Sequence, residues 1–193
     1  MRPRSLGGDA AAIMLAVTKA LQPVEGAAHA NHVSADDLGF ASSAGRRIVI
    51  SMSINRTRDY LLTLPRVEET LQWDNLVYWV LDKAVGGKMF AMIEPEPGGA
   101  HVAGFAVPPD HYESLLEIEG VRPAPYLARA HWVVVERWDV FTAAEWQTHL
   151  KAAHARVEAK LPPRVQRIME LKQREYRALV RENRATAKAA RKK

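Results

Sequence analysis

The sequence predicts an α+β domain with helices packed on one face of an antiparallel β-sheet, followed by a basic C-terminal helix. Three observations carry this prediction. Residues 76–81 and 88–93 are rich in β-formers and are separated by Val85-Gly86-Gly87, a hairpin-type break where glycine takes positive φ. Thr142-Ala-Ala-Glu145 forms a capping box ahead of an apolar helical period. Beyond Lys160 the chain turns strongly basic, and its apolar stripe ends at Val180.

Taken in order, residues 55–64 read as a short helix with Asn55 as N-cap, Tyr60, Leu61 and Leu64 on one side, and Pro65 closing it. The strands over 76–81 and 88–93 follow, then a third over 101–107 after the Pro-Glu-Pro-Gly-Gly turn at 95–99, giving an antiparallel meander. Pro108-Pro109-Asp110 opens a helix carrying Tyr112, Leu115 and Leu116, which Gly120 ends. Residues 131–135 form an unbroken apolar run of strand length, the pattern of a strand buried on both faces. The helix begun at Thr142 buries Trp146, Leu150, Ala153 and Val157 and stops at Pro162-Pro163. Val165, Ile168, Met169, Tyr176, Leu179 and Val180 then lie on one last helix, which docks through its first half and frays beyond it.

A chain of 193 residues with 48% hydrophobic and 25% charged residues suits one core-bearing domain with appendages. It has no cysteine, which excludes disulfides, thiolate metal sites and a cysteine nucleophile and fits a reducing cytoplasm. No apolar run approaches the roughly twenty residues that span a bilayer. Residues 1–51 are rich in Ala, Gly and Ser without a sustained apolar period, and read as a poorly ordered leader or as sequence ahead of a true start at Met52. Ala28-His29-Ala30 has the form of a signal cleavage site, but the apolar stretch between Asp9 and Lys19 is short for a secretory signal. The expected organisation is a leader over 1–51, a domain over 54–163 and a basic helical extension over 164–193.

Charge is unevenly placed. Residues 54–159 hold ten Lys and Arg against fifteen Asp and Glu, a balance of −5, whereas residues 160–193 hold twelve against three, a balance of +9. Attraction to phosphates is therefore expected from the tail, since steering follows the local patch rather than the chain average.

Leu64-Pro65, Gly87-Lys88-Met89-Phe90-Ala91, Pro123-Ala124-Pro125-Tyr126, His131-Trp132-Val133 and Lys160-Leu161-Pro162 occur in the order and spacing of the MmcQ/YjbR family, which the chain resembles over residues 54–163. Glu69-Thr-Leu-Gln-Trp73, Trp138-Asp-Val-Phe141 and the basic tail look like a branch of that family with a C-terminal extension. The resemblance implies a fold like that of bacterial frataxin homologues and a DNA-binding role, and it supplies no catalytic residues. Many members carry a lysine on the third strand where this chain has Phe105, which removes a cation from the face thought to contact ligand.

The candidate nucleic-acid or anion contacts are Lys88, Arg122, Tyr126, Arg129, His131 and Trp132, with Arg181, Arg184, Lys188 and Arg191 from the tail. Gly86-Gly87-Lys88 is half a phosphate loop, but it lacks the following Ser or Thr and leads into a strand, so a tight turn is the better reading. Tyr126 and Trp132 can stack on a flat ligand while Arg129 holds phosphate, or can instead fill the core. His149 and His154 are five apart, not the four that puts two ligands on one helix face, and no Gly-x-Ser-x-Gly elbow is present. The expectation is a monomeric, cytoplasmic, non-enzymatic DNA-binding protein without cofactor or metal. The alternative is a protein-interaction or small-ligand module that uses the acidic domain surface.

Overall fold

The computed structural model of the chain describes residues 52–96 and 98–190, so the readings made of 1–51 and of Arg191 lie outside the described residues. Six antiparallel strands, β1 (Val67–Gln72), β2 (Asn75–Val80), β3 (Lys88–Ile93), β4 (Ala103–Ala106), β5 (Val121–Pro123) and β6 (Trp132–Val135), form one sheet in the order β1-β2-β3-β4-β6-β5. Five helices accompany it: α1 (Ile54–Thr63), α2 (Pro109–Leu116), α3 (Ala143–Ala159), α4 (Pro163–Gln166) and α5 (Gln173–Ala190). None of the described helices is long and apolar enough to cross a membrane. The α+β architecture is the one the sequence predicts.

Strand register decides which helices each face receives. Glu69, Tyr78, Ala91, Phe105 and Val133 stand opposite one another across five strands. Residues so paired project to the same side of a sheet. On that side Glu69 meets Arg58 of α1 at 2.7 Å, and Phe105 packs its ring near Trp146 and His149 of α3. Phe105 is therefore a core residue beneath α3, where a lysine would have to bury its charge. The neighbouring residues Glu68, Thr70 and Trp79 point to the other side, where they meet α5.

Several elements differ from expectation for identifiable reasons. Ser53, not Asn55, caps α1, its side chain accepting from the Arg56 amide. The capping box before α3 is present in full: Thr142 Oγ1 accepts from the Glu145 amide at 3.3 Å, and Glu145 accepts from the Thr142 amide at 2.8 Å. Val157 of α3 is only half-buried, while His154 is buried, its Nε2 2.8 Å from the Pro65 carbonyl. The break between the antiparallel strands β2 and β3 has the positive-φ glycine expected of it. It runs through a 3-10 turn over Lys83–Val85 closed by Gly86 at φ 93°. At Gly87 a Cβ would lie 1.9 Å from the Leu81 carbonyl oxygen, so only glycine fits. His131 takes φ 57° and ends a 3-10 turn, which delays β6 to Trp132. α2 ends at Leu116, and Gly120 instead turns the chain into β5, a strand the sequence reading did not contain.

The last helix is two helices. A 3-10 turn over Arg167–Glu170 ends at Leu171, whose ψ of 147° is extended. Arg66 holds this break open, its guanidinium donating to the Met169 and Leu171 carbonyls and to the Gln173 side chain. α5 then continues as helix to Ala190 rather than fraying after Val180. Val165, Tyr176 and Val180 belong to the same apolar core as the sheet, so the extension packs onto the domain.

Candidate functional site

α5 carries two stripes one residue apart. Tyr176 and Val180 are buried and Asn183 is half-buried. One position after each come Arg177, Arg181 and Arg184, which with Arg174 and Lys188 recur three, four, three and four residues apart. That period keeps all five on one helix face, over about 21 Å at 1.5 Å per residue. Among the described residues, the side chains of Arg174, Arg177, Arg181 and Lys188 make no hydrogen bond or ion pair. Arg184 alone is bonded, to Asp82.

The docking stripe has a polar clasp. The Tyr176 hydroxyl donates to Glu68 Oε1 at 3.0 Å and accepts from the Asp82 amide at 2.9 Å, while Asn183 donates to the Ala84 carbonyl at 3.1 Å. Asp82 is buried and also accepts from the Ala84 amide at 2.8 Å. Burial raises the Tyr176 phenol above its ordinary pKa, so it stays a donor through neutral pH. The hydrogen bond to Asp82, followed by its charge, raises Arg184.

Two grooves follow the cationic stripe. One, about 770 Å³, lies between Arg174, Arg177, Arg181 and Arg184 on the helix side and Val67, Glu68 and Asp82 on the sheet side. The other, about 510 Å³, continues past Arg184 to Lys188, Thr70, Trp79 and Lys83. They share Glu68, Asp82 and Arg184, so the Arg184–Asp82 pair is a bar between them. Lys83 lies 4.7 Å from the Trp79 ring centroid and covers one face of the indole.

Charge is also segregated along the strand direction. Asp74, Glu94, Glu96, Glu117, Glu119, Glu136 and Asp139 all lie in the connections at one end of the sheet, which hold a single basic residue among the described ones, Arg137. Arg66, Lys83, Lys88 and Arg129 lie at the other end, with the start of α5. At the acidic end His101 is buried with Nδ1 3.9 Å from Glu94, and burial, then Arg122, lowers its pKa.

The residues singled out from sequence fall into separate places. Lys88 is exposed at the first position of β3. Arg122 is on edge strand β5, paired with Glu136 at 2.7 Å and donating to the Ala100 carbonyl at 3.3 Å. Tyr126 is 56% exposed, at φ 61°. Arg129 is exposed in a 3-10 turn, and His131 is half-buried with its ring edge-on to Tyr112 at 5.1 Å. Trp132 is buried in the core. Arg156 anchors this segment through the Val107, Ala130 and His131 carbonyls. The sheet order puts β5 and β6 at the edge opposite β1, about 20 Å or more away at roughly 4.8 Å per strand. The Arg122 to Trp132 group and the Arg181, Arg184 and Lys188 group are thus two sites, not one. Arg174, Arg177, Glu68, Asp82 and Tyr176 were not singled out, although the alternating three and four spacing of the arginines is readable in the sequence. No group of three or more His, Cys, Asp or Glu among the described residues is placed to hold a metal ion.

Residues 62–156 match the family model described as YjbR. The crystal structure of the Deinococcus radiodurans protein DR2400, which carries the domain DUF419, is similar in fold with a TM-score of 0.54 at 19% identity. The similarity covers 62% of this chain and 89% of that one. No curated protein matches the chain.

Proposed function

The chain belongs to the YjbR family through residues 62–156, and we propose that it binds nucleic acid, without catalysis, through the cationic face of α5. The observation that carries this reading is the line of Arg174, Arg177, Arg181 and Lys188, aligned on one helix face with no partner in the described structure. A cation that is not neutralised internally is available to displace counterions from phosphates, and each phosphate so contacted contributes a salt-dependence slope of about −0.9 on duplex or −0.7 on single strands. Binding of this kind is weak, largely independent of sequence and steeply dependent on salt. A monomer in the cytoplasm, without a cofactor, suffices for it.

Fluorescence anisotropy with labelled DNA across a salt series tests the reading. The double reversal Arg177→Glu/Arg181→Glu removes two phosphate contacts and adds two repulsive charges, at exposed positions with no partner to lose. Affinity at low salt should fall more than about tenfold and the slope should shrink by nearly two phosphates. Unchanged affinity sinks the α5 reading. Absence of any binding at low salt favours instead a protein or small-molecule partner at the acidic end of the sheet, where Glu94, Glu96, Glu117 and Glu119 gather.

A further inference from the structure

We infer that the α5 face also receives a second copy of this chain, which lays the acidic end of its sheet along the cationic stripe in a head-to-tail contact. Opposite charge carries the match. Arg174, Arg177, Arg181 and Lys188 are exposed on one side of α5, and their side chains have no partner among the described residues. At the acidic end the side chains of Asp74, Glu96, Glu117 and Glu119 are exposed and likewise make no hydrogen bond or ion pair there. Glu94 lies partly buried among them, and burial, then the charge of Glu96, raises its pKa, as expected of carboxylates that face one another without a neutralising cation.

The two rows also match in length. Asp74 lies in the turn between β1 and β2, Glu94 and Glu96 in the connection from β3 to β4, and Glu119 just before β5 at the far edge. In the sheet order this row crosses four to five strand spacings, about 22 Å at roughly 4.8 Å each. The cationic stripe runs about 21 Å along α5 at 1.5 Å per residue. One row can therefore lie along the other with opposite charges facing throughout. Among the described residues no ion pair joins the two rows within one chain, so each is left for a neighbour. Because the two faces are different patches of the molecule, the contact is heterologous and leaves both ends of a pair open to further copies. Exposed ion pairs are individually weak and screened by salt, so the contact holds only as a row, at low salt and high protein concentration. Nucleic acid and a second copy then compete for the same cations.

Sedimentation velocity of the full chain tests this contact. At about 20 mM salt the weight-average mass should exceed that of one chain and rise with protein concentration, and at about 0.5 M salt it should return to one chain. Arg177→Glu/Arg181→Glu and Glu96→Lys/Glu119→Lys should each remain single chains at low salt. The first moves the net charge of +5 toward zero, a change that by itself weakens repulsion between copies, so its loss of association reports the stripe. An equimolar mixture of the two variants should form pairs at low salt, because the first keeps the acidic end and the second keeps the stripe. A parent that stays a single chain at low salt, variants that associate on their own, or a mixture that stays apart each overturns the head-to-tail contact. None of these results touches nucleic-acid binding, which anisotropy of the parent reads separately.

Discussion

The Tyr176 hydroxyl bridges Glu68 Oε1 and the Asp82 amide at 3.0 and 2.9 Å, so one side chain of α5 ties β1 to the loop that follows β2. Both ends of this bridge are remote in sequence, and the Asp82 amide is buried with it. Tyr176→Phe keeps the ring in the core but leaves that amide without its acceptor and Glu68 without its donor. Loss of a buried partner costs roughly 1–3 kcal/mol. Urea unfolding should show the free energy of unfolding lowered by that amount, read as a lower midpoint at an unchanged slope, since the native core is retained. A midpoint equal to the parent's would mean that the bridge contributes no net stability.

That bridge also marks where sequence reading stops. The capping box at Thr142 and Glu145 and the apolar run of β6 are local, and both were legible. β1 was not, because Val67–Gln72 carries Glu68, Glu69 and Gln72 without apolar alternation. Its carboxylates are tolerated in a sheet only because Tyr176, Tyr78 and Arg58 reach them from elsewhere. The division of the last helix depends on Arg66, about a hundred residues earlier, so no local propensity reveals it. The basic tail was legible as charge. Which of its cations are free, and that they border a groove, follows from the docking of Tyr176 and Val180.

His149 sits on α3 with its ring stacked on Phe105 at 6.0 Å and against Phe141 at 4.7 Å. Burial lowers its pKa from the ordinary value of 6.5, an effect opposed by Glu145 and reinforced by His111. A base whose folded pKa is depressed binds its proton more tightly in the unfolded chain. Stability is therefore lost as pH falls from about 6.5 through the lower folded pKa, and regained above it. His149→Phe preserves an aromatic ring between its two neighbours and removes the proton. Its thermal midpoint should vary less than the parent's between about pH 7.5 and 5, leaving the dependence that His101 contributes with the same sign. An undiminished slope would assign the acid sensitivity to other groups.

Arg181 and Arg184 carry the same charge on the same face of α5 but should respond differently to removal. Arg181 is exposed and has no bonded partner, so Arg181→Ala should leave stability within about 0.5 kcal/mol of the parent. It should also lower the salt-dependence slope of nucleic-acid binding by about one phosphate's contribution. Arg184 already donates to the Asp82 carboxylate, whose side chain is only 6% exposed. Its charge is partly neutralised before any ligand arrives, so Arg184→Ala should change the slope by less. The same substitution strips a buried carboxylate of its charged donor. With the guanidinium side 61% exposed and screened by solvent, the expected cost is roughly 1 kcal/mol rather than that of a fully buried pair. The two variants therefore separate along two axes, one affecting binding alone and the other mainly stability. Equal slope changes for both would show that Asp82 leaves Arg184 as available to phosphate as its unpaired neighbour.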